Sequence, residues 1–375
     1  MPELAIQQLL RERGLAGLEG LAIKTRRHGI FENLVCFKYD QRLSPMMEKA
    51  VQEARGLILD ESRDWAVTSM SFRKFFNAEE PLATEINWTT ACIEEKLDGS
   101  LMALYWYDNA WQVQSSGTAD AAGNVVQDIR STNQDLTYRE LFWKTWDQLG
   151  YVLPPSPDEL GATYTFSFEL MTPHNRVVVR HINSRLVLHG VRNLFTLQEE
   201  PSEHWAKKLH YEAVKTHALT REGLREAARA ISPMDGEGFV VRDSHFQRVK
   251  IKSEGYVEVS LLRESWSERR ALELIMLGEE AEFLAYFPEY ETELHDVAAR
   301  VRRVSDAIDT EYAEIKDIPE QKAFAAQATK GNHSAALFAL RKGQAVDAYS
   351  WLVSLDEAQR LRALALAGEP FPASS

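Results

Sequence analysis

The chain has 375 residues, 45% of them hydrophobic and 26% charged, a globular composition with room for two or three domains. No apolar run approaches the roughly 20 residues of a membrane-spanning helix, and the opening MPELAIQQLLRERGLAGL lacks a signal peptide's apolar core, so a cytoplasmic protein is expected. A net charge of −13 argues against a general nucleic-acid coat, and two cysteines, Cys36 and Cys92, exclude a disulfide framework or a Cys-type zinc site.

The β-branched and aromatic runs ARGLILD, DWAVTSM, TACIEEK, LMALYWY, WQVQSS, TYTFSFELM, RLVLHGV, GFVVR and RVKIK predict strands. Asp108–Asn109 between LMALYWY and WQVQSS predicts a hairpin turn. LTYRELFWKTWDQLG and HWAKKLHYEAVKTHAL have helical spacing. From about residue 258 the strand-like runs vanish, and Leu294, Val297, Val301, Ile308, Tyr312 and Ile315 form one apolar helical stripe. A domain boundary is placed near Leu262, dividing the chain into 1–262 and 263–375, and the tail Gly368–Ser375 is expected to fray.

Charge is uneven along the chain. Arg176, Arg180, Arg185 and Arg192 lie in an acid-free stretch, and Arg242, Arg248, Lys250 and Lys252 face only Asp243. Such patches either bind a polyanion or edge the strands with solvated arginines.

Chemistry centres on Glu95-Lys96-Leu97-Asp98-Gly99-Ser100, between two strand-like runs. A neutral lysine amine is a good nucleophile, but its ordinary pKa of about 10.4 requires neighbouring cations or desolvation for reaction near pH 7. Gly99 allows a backbone to approach closely. K-x-D-G alone arises by chance in about one chain in ten of this size and then reads as a hairpin turn. Its companions change the balance: Arg55-Gly56, Arg73-Lys74-Phe75-Phe76-Asn77, Phe168-Glu169, Glu237-Gly238-Phe239-Val240 and Lys250-Ile251-Lys252. Lys250 and Lys252, two apart on a strand, share a face and suit a phosphate. Glu169 and Glu237 stand among apolar residues, where a carboxylate needs a cation, metal or hydroxyl.

In this order the motifs resemble those of covalent nucleotidyltransferases (DNA ligases, RNA ligases and capping enzymes). R-G-L-I-L, K-F-F-N, K-L-D-G-S-L, F-E-L-M-T-P-H-N-R-V-V and K-I-K-S are most similar to the T4-phage RNA ligase 1 family. The resemblance covers residues 30–260 or so. It implies an α+β fold: an ATP-grasp-like nucleotidyltransferase domain of antiparallel sheets with flanking helices, then an all-α C-terminal domain that confers RNA specificity.

The resemblance further implies an ATP-dependent ligase joining 5′-phosphate and 3′-OH RNA ends through lysyl–AMP and RNA-adenylate, as a monomer acting in RNA repair with a broken tRNA as a candidate substrate. Lys96 would attack the α-phosphate of ATP, Lys250 and Lys252 would contact that phosphate, and Arg55 and Lys74 would grip the triphosphate. Phe76 would stack on adenine. Glu95, Gly99 and Gly238 would border the nucleotide, and Glu169 and Glu237 would serve ribose and a hydrated magnesium, or manganese, ion. Two positions depart from the family pattern. Ser115-Ser116-Gly117 stands where the family carries S-K-G, and Phe37 aligns with a family tyrosine near the triphosphate, with Tyr39 two residues on. Lower ATP affinity, or compensation by a residue such as Arg73, is expected. Two other readings stand beside this one: a DNA ligase or capping-type enzyme, which the helical tail disfavours, and a nucleotide-binding repair or tethering module with weak catalysis.

Overall fold

The structure, a computed structural model, describes residues 2–128, 131–264, 266–366 and 368. The expected fraying of the tail, apart from Gly368, lies outside these residues. The chain divides into two compact units, Met1–Ser260 and Leu261–Ser375, and the architecture is mixed α and β, with largely antiparallel sheets and many helices.

In the first unit β1 (Ile23–Arg27), β2 (Leu34–Tyr39), β3 (Arg55–Asp60) and β4 (Ala66–Ser69) form an antiparallel meander. One face buries Val35, Phe37, Leu57 and Leu59 against Leu4, Ile6 and Leu10 of the opening helix region. β1 escapes a reading by hydrophobicity because four of its five residues, Lys24–Arg27, are exposed.

β5 (Cys92–Glu95) leads into the K-x-D-G turn, and β6 (Ser100–Tyr107) and β7 (Ala110–Ser115) form the hairpin beyond it. Asp108 and Asn109 both have positive φ, 49° and 55°, as a two-residue hairpin loop of this kind requires. After the hairpin of β8 (Asn124–Asp128) and β9 (Ser131–Thr137), helix Tyr138–Gln148 starts on a capping box: Thr137 Oγ1 accepts from the Glu140 amide and Glu140 accepts from the Thr137 amide. β10 (Tyr164–Met171) and β11 (Arg185–Asn193) then pair at the centre of a sheet.

The predicted helix over HWAKKLHYEAVKTHAL is only half realised. It spans Ser202–Leu209 and stops at His210, whose φ of 56° breaks the helical path. Beyond it the chain joins sheets instead, after β12 (Glu199–Glu200), as β13 (Glu212–Ala213) parallel to β11 and β14 (Thr216–His217) antiparallel to β5. β15 (Gly238–Arg242) and β16 (Arg248–Lys252) follow.

These strands make two further sheets, β12-β11-β10-β6-β7 with β13 at its side, and β14-β5-β15-β16. The first buries Phe166, Phe168, Leu170, Leu186 and Leu188 against Phe142 and Trp146 of helix Tyr138–Gln148. The second buries Ile93, Phe239, Val241, Val249 and Ile251 against Leu224 and Ala228 of helix Arg221–Arg229. The K-x-D-G turn carries the chain from one sheet to the other, so chemistry placed there is walled by both.

The second unit contains helices and no strand among its described residues. Its longest helix, Glu291–Ile315, buries Leu294, Val297, Val301 and Ile308, and Tyr312 and Ile315 extend the packing around Phe324, Leu337 and Leu340. No helix among the described residues is long and apolar enough to cross a membrane.

Candidate active site

Lys96 follows β5 directly, and its amide donates to the Gly238 carbonyl at 2.9 Å, continuing the ladder to β15. Leu97 is buried, and Asp98 is pinned on all sides. One carboxylate oxygen of Asp98 accepts from the Val178 and Val179 amides at 2.9 and 2.6 Å. The other accepts from the Tyr256 hydroxyl at 2.5 Å, and His181 Nε2 meets the Asp98 carbonyl at 2.6 Å. Asp98 therefore ties the K-x-D-G turn to the loop after β10 and to helix Glu254–Glu264. Gly99 is obligatory in this arrangement, because a Cβ there would collide with the Leu170 carbonyl oxygen. Gly238 is equally constrained, with φ 136° and a Cβ there colliding with the Ile251 carbonyl oxygen. Glu95 is half-buried and its amide bonds the Lys215 carbonyl at 2.8 Å.

Glu237 is the hub. Its carboxylate meets Lys96 Nζ at 2.5 Å with one oxygen and Lys252 Nζ at 2.8 Å with the other. Burial alone would raise this carboxyl, but Lys96 and Lys252 outweigh it and hold it below the ordinary carboxylate value. Lys250, on the same strand face as Lys252, stands 4.8 Å from the Phe75 ring centroid. Burial first, then Arg55, Lys96, Lys74 and Lys252, push its amine down to about 6.

The opposite wall comes from β10 and β11. Glu169 is buried, and desolvation drives its carboxyl up to about 8, assisted by Glu237 and Asp98 against Lys96 and Arg55. His189, which a bulge leaves unpaired between Ser167↔Gly190 and Phe168↔Leu188, stands 3.7 Å from Glu169. Burial, then Arg248, Arg55 and Lys96, push the imidazole down to about 3, so the contact is between two neutral groups. His189 Nε2 and Arg55 Nη1 are buried without a hydrogen-bond partner, as expected of a wall shaped for something else. Sequence reading missed His189, since nothing in HGV announces a bulge, and it missed Tyr256 and the anchoring role of Asp98.

Segment 72–78 runs beside β16: Phe76 accepts from the Lys250 amide and Ala78 donates to the Lys250 carbonyl, each at 2.9 Å. Arg55 lies over the Phe75 ring at 5.1 Å. Lys74 Nζ stands 5.3 Å from the Tyr39 ring and 5.4 Å from the Phe76 ring, and Phe76 is only 5% exposed.

Three sequence expectations need correction. Phe37 does not border the nucleotide: it is 0% exposed, packed at 6.1 Å against Trp65 in the core of the meander, because its place on β2 faces the opening helix. Tyr39, two residues on, instead lines a cavity with Arg55 and Ser116. Arg73 does not stand in for the lysine missing at Ser116. It lies 3.7 Å from Glu53 and borders a cavity of ≈ 670 Å³ that Ser116 does not line. Much of the two basic patches is neutralised by acids from elsewhere in the chain. Glu212 takes Arg185, Glu199 takes Arg192 and Arg248 at 2.7 Å each, and Glu94 takes Arg242 at 2.7 Å.

The model of the RNA ligase family matches residues 53–256, the stretch that holds Arg55 through Tyr256. An RNA ligase of Rhodothermus phage RM378 is 28% identical over 378 aligned positions, covering 84% of this chain and 82% of that protein. A putative bifunctional polynucleotide kinase/RNA ligase of Autographa californica nuclear polyhedrosis virus is also 28% identical, over 76% of this chain, but this chain spans only 42% of it. Among solved structures, a lysine-to-alanine mutant of a Naegleria gruberi RNA ligase with ATP and Mn aligns at a TM-score of 0.35 and 16% identity, over 47% of this chain and 52% of that one, too slight a likeness to carry an argument. With its match to the family model covering more than half its length, the chain belongs to the RNA ligase family.

Proposed function

We propose that this protein is an ATP-dependent RNA ligase that joins 5′-phosphate and 3′-OH ends through lysyl–AMP on Lys96 and an RNA-adenylate. The observation that carries the reading is the Lys96–Glu237–Lys252 bridge at a turn walled by two sheets, in a chain of the RNA ligase family. In this structure the Lys96 amine is ion-paired to Glu237. For reaction its Nζ leaves the ion pair with Glu237 and releases a proton to solvent, and its lone pair attacks the α-phosphate. The N–P bond forms, the bond from the α-phosphorus to the bridging oxygen breaks, and pyrophosphate departs with the electron pair. Lys252, and Lys250 once bound phosphate restores the proton that burial beside other cations removes, offset the charge that gathers on the phosphoryl oxygens, in a transfer that is largely positioning and electrostatics. AMP then passes to an RNA 5′-phosphate, and the 3′-OH displaces it as the strands join.

Arg55 and Lys74 are assigned to the triphosphate. Phe76 is assigned to adenine, which requires Lys74 to swing off the ring it now covers. Glu95, Gly99 and Gly238 border the nucleotide. Glu169 and Glu237 fit a divalent ion that keeps most of its water: both carboxyl groups are buried near Lys96. Magnesium or manganese held there would neutralise phosphoryl charge.

The reading takes the first unit as an ATP-grasp-like nucleotidyltransferase domain and the helices after residue 262 as an RNA-specificity domain. It places the protein in the cytoplasm as a monomer, with broken RNA such as a cleaved tRNA as its substrate. Mass spectrometry tests the chemistry. Purified protein treated with ATP and a divalent ion should gain the mass of AMP on Lys96 and lose it with pyrophosphate. An unmodified Lys96 would remove the ligase reading in favour of a nucleotide-binding tether.

A further inference from the structure

A second cavity, of ≈ 690 Å³, opens beside Arg55 and is lined by Lys24, Arg26, Lys38, Arg42, Tyr39 and Ser116 among others. Its one lining acid, Asp40, is already committed: it pairs with Lys24 at 2.8 Å and accepts the Arg42 and Leu43 amides. Lys38 makes no ion pair among the described residues. It reaches across to the turn after β7, where its Nζ lies 3.5 Å from Ser116 Oγ and 3.5 Å from the position a Cβ on Gly117 would take. In the β1–β2 register Lys24 stands directly opposite Lys38, and Arg26 shares the face of Lys24. Like charges opposite each other on paired strands destabilise the sheet. An arrangement that keeps them there, above an Arg55 whose buried Nη1 lacks a partner, is complementary to a polyanion.

We infer that this cavity receives the β- and γ-phosphates of ATP, and the pyrophosphate that leaves, with Lys38 on β2 supplying the cation that the family pattern carries at the position of Ser116. The inference rests on the ligase reading for the identity of the nucleotide. It does not rest on it for the polyphosphate, which the cavity selects by charge.

The test pairs Lys38→Ala with the double variant Lys38→Ala/Ser116→Lys, and reads two quantities. The first is calorimetric binding of inorganic tripolyphosphate. Lys38→Ala should weaken it about tenfold, the size of losing one charge-assisted contact of about 1.4 kcal/mol, and the double variant should restore most of it. The second is the KM for ATP in lysyl–AMP formation, which should rise and recover in parallel while joining of pre-adenylated RNA stays unchanged. Because Lys38 is exposed and faces Lys24, its loss should leave the melting temperature level or higher. Tripolyphosphate binding that ignores Lys38, or none in the wild type, overturns the inference even if Lys96 is labelled normally. Lys38-dependent tripolyphosphate binding in a wild-type protein that takes no label supports the cavity and removes the ligase reading instead.

Discussion

The two walls of the site handle buried charge in opposite ways. On the β15–β16 side, Glu237 is held between Lys96 and Lys252 at 2.5 and 2.8 Å, and attraction outweighs the burial that would otherwise neutralise it. On the β10–β11 side, Glu169 lies at a similar depth without an ammonium in contact. There burial wins, keeping the carboxyl protonated up to about pH 8 and the imidazole of His189 neutral. The first wall is electrostatically complete as it stands. The second, where His189 Nε2 is buried without a hydrogen-bond partner among the described residues, is not. The same residue type is thus charged on one side and neutral on the other, and the distance to the nearest ammonium decides which.

The largest effects belong to the complete wall. Lys96→Ala should abolish lysyl–AMP formation and sealing of unadenylated RNA, yet spare some joining of pre-adenylated RNA, as labelled-ATP transfer and a joining gel would show. Labelling at the wild-type level would end the assignment. Lys250→Ala and Lys252→Ala should each slow adenylate formation by roughly 10²–10³-fold, typical of removing one preorganised charge contact, and arginine should rescue poorly because its planar fork does not reproduce a point charge. Of the two, Lys252→Ala should also cost stability, since it takes a partner from Glu237.

The two glutamates should separate in their pH dependence. Glu237→Gln breaks a buried ion pair and should destabilise the fold near pH 7 by about 3–5 kcal/mol. Because its folded carboxyl is held low, that penalty should shrink as pH falls through the carboxylate range. Glu169→Gln should be nearly neutral at acid pH. The folded state keeps the Glu169 proton up to about pH 8, whereas the unfolded chain releases it near 4.3. Between those values the folded state holds the extra proton, so wild-type stability falls with rising pH by at most about 1.4 kcal/mol per unit. The glutamine variant escapes that loss. Lys250, pushed down to about 6, acts oppositely between that value and about 10.4, but it does so in both proteins. Denaturant titrations at pH 5 and pH 8 measure the difference, and the same Glu169→Gln effect at both would contradict the buried neutral carboxyl.

What the sequence disclosed followed from local pattern. TYTFSFELM is a strand from Tyr164 to Met171, Asp108–Asn109 turns as expected, and Lys96, Asp98 and Gly99 share the turn between β5 and β6 that the K-x-D-G motif marks. What it hid depends on distant neighbours. Phe37 sits in LVCF, four residues buried in a row, so alternation could not say which ring faces the candidate site. Lys38 and Ser116 are 78 residues apart, and the acids that neutralise Arg242 and Arg248 are likewise remote. Charge in a linear stretch is therefore a poor guide to charge on a surface. The resemblance located the motif residues, and the structure alone paired them.

The smallest effect expected at the nucleophile itself comes from removing the second unit. The division at Ser260–Leu261 falls inside helix Glu254–Glu264, so a cut at Leu262 would strip that helix of its end. Tyr256, whose hydroxyl holds Asp98, lies on the same helix. A chain ending after Glu264 keeps the whole helix and every motif residue from Arg55 to Lys252, and should form lysyl–AMP at a near wild-type rate. The removed helices bury their own core around Ile308, Phe324 and Leu337 and can fold as a separate body. Within the Arg300–Arg303 stretch, Arg300 donates to the Leu364 and Ala365 carbonyls and is engaged, whereas Arg302 and Arg303 are exposed and suited to phosphate contact. RNA recognition by shape suits an appended domain of this kind. Truncation should therefore reduce sealing of a structured RNA about tenfold more than sealing of a short unstructured strand, and Arg302→Ala/Arg303→Ala should reproduce part of that gap. Equal loss on both substrates would make the helices a general stabiliser. Loss of adenylation in a truncated protein that still melts cooperatively would place part of the nucleotide site beyond Glu264.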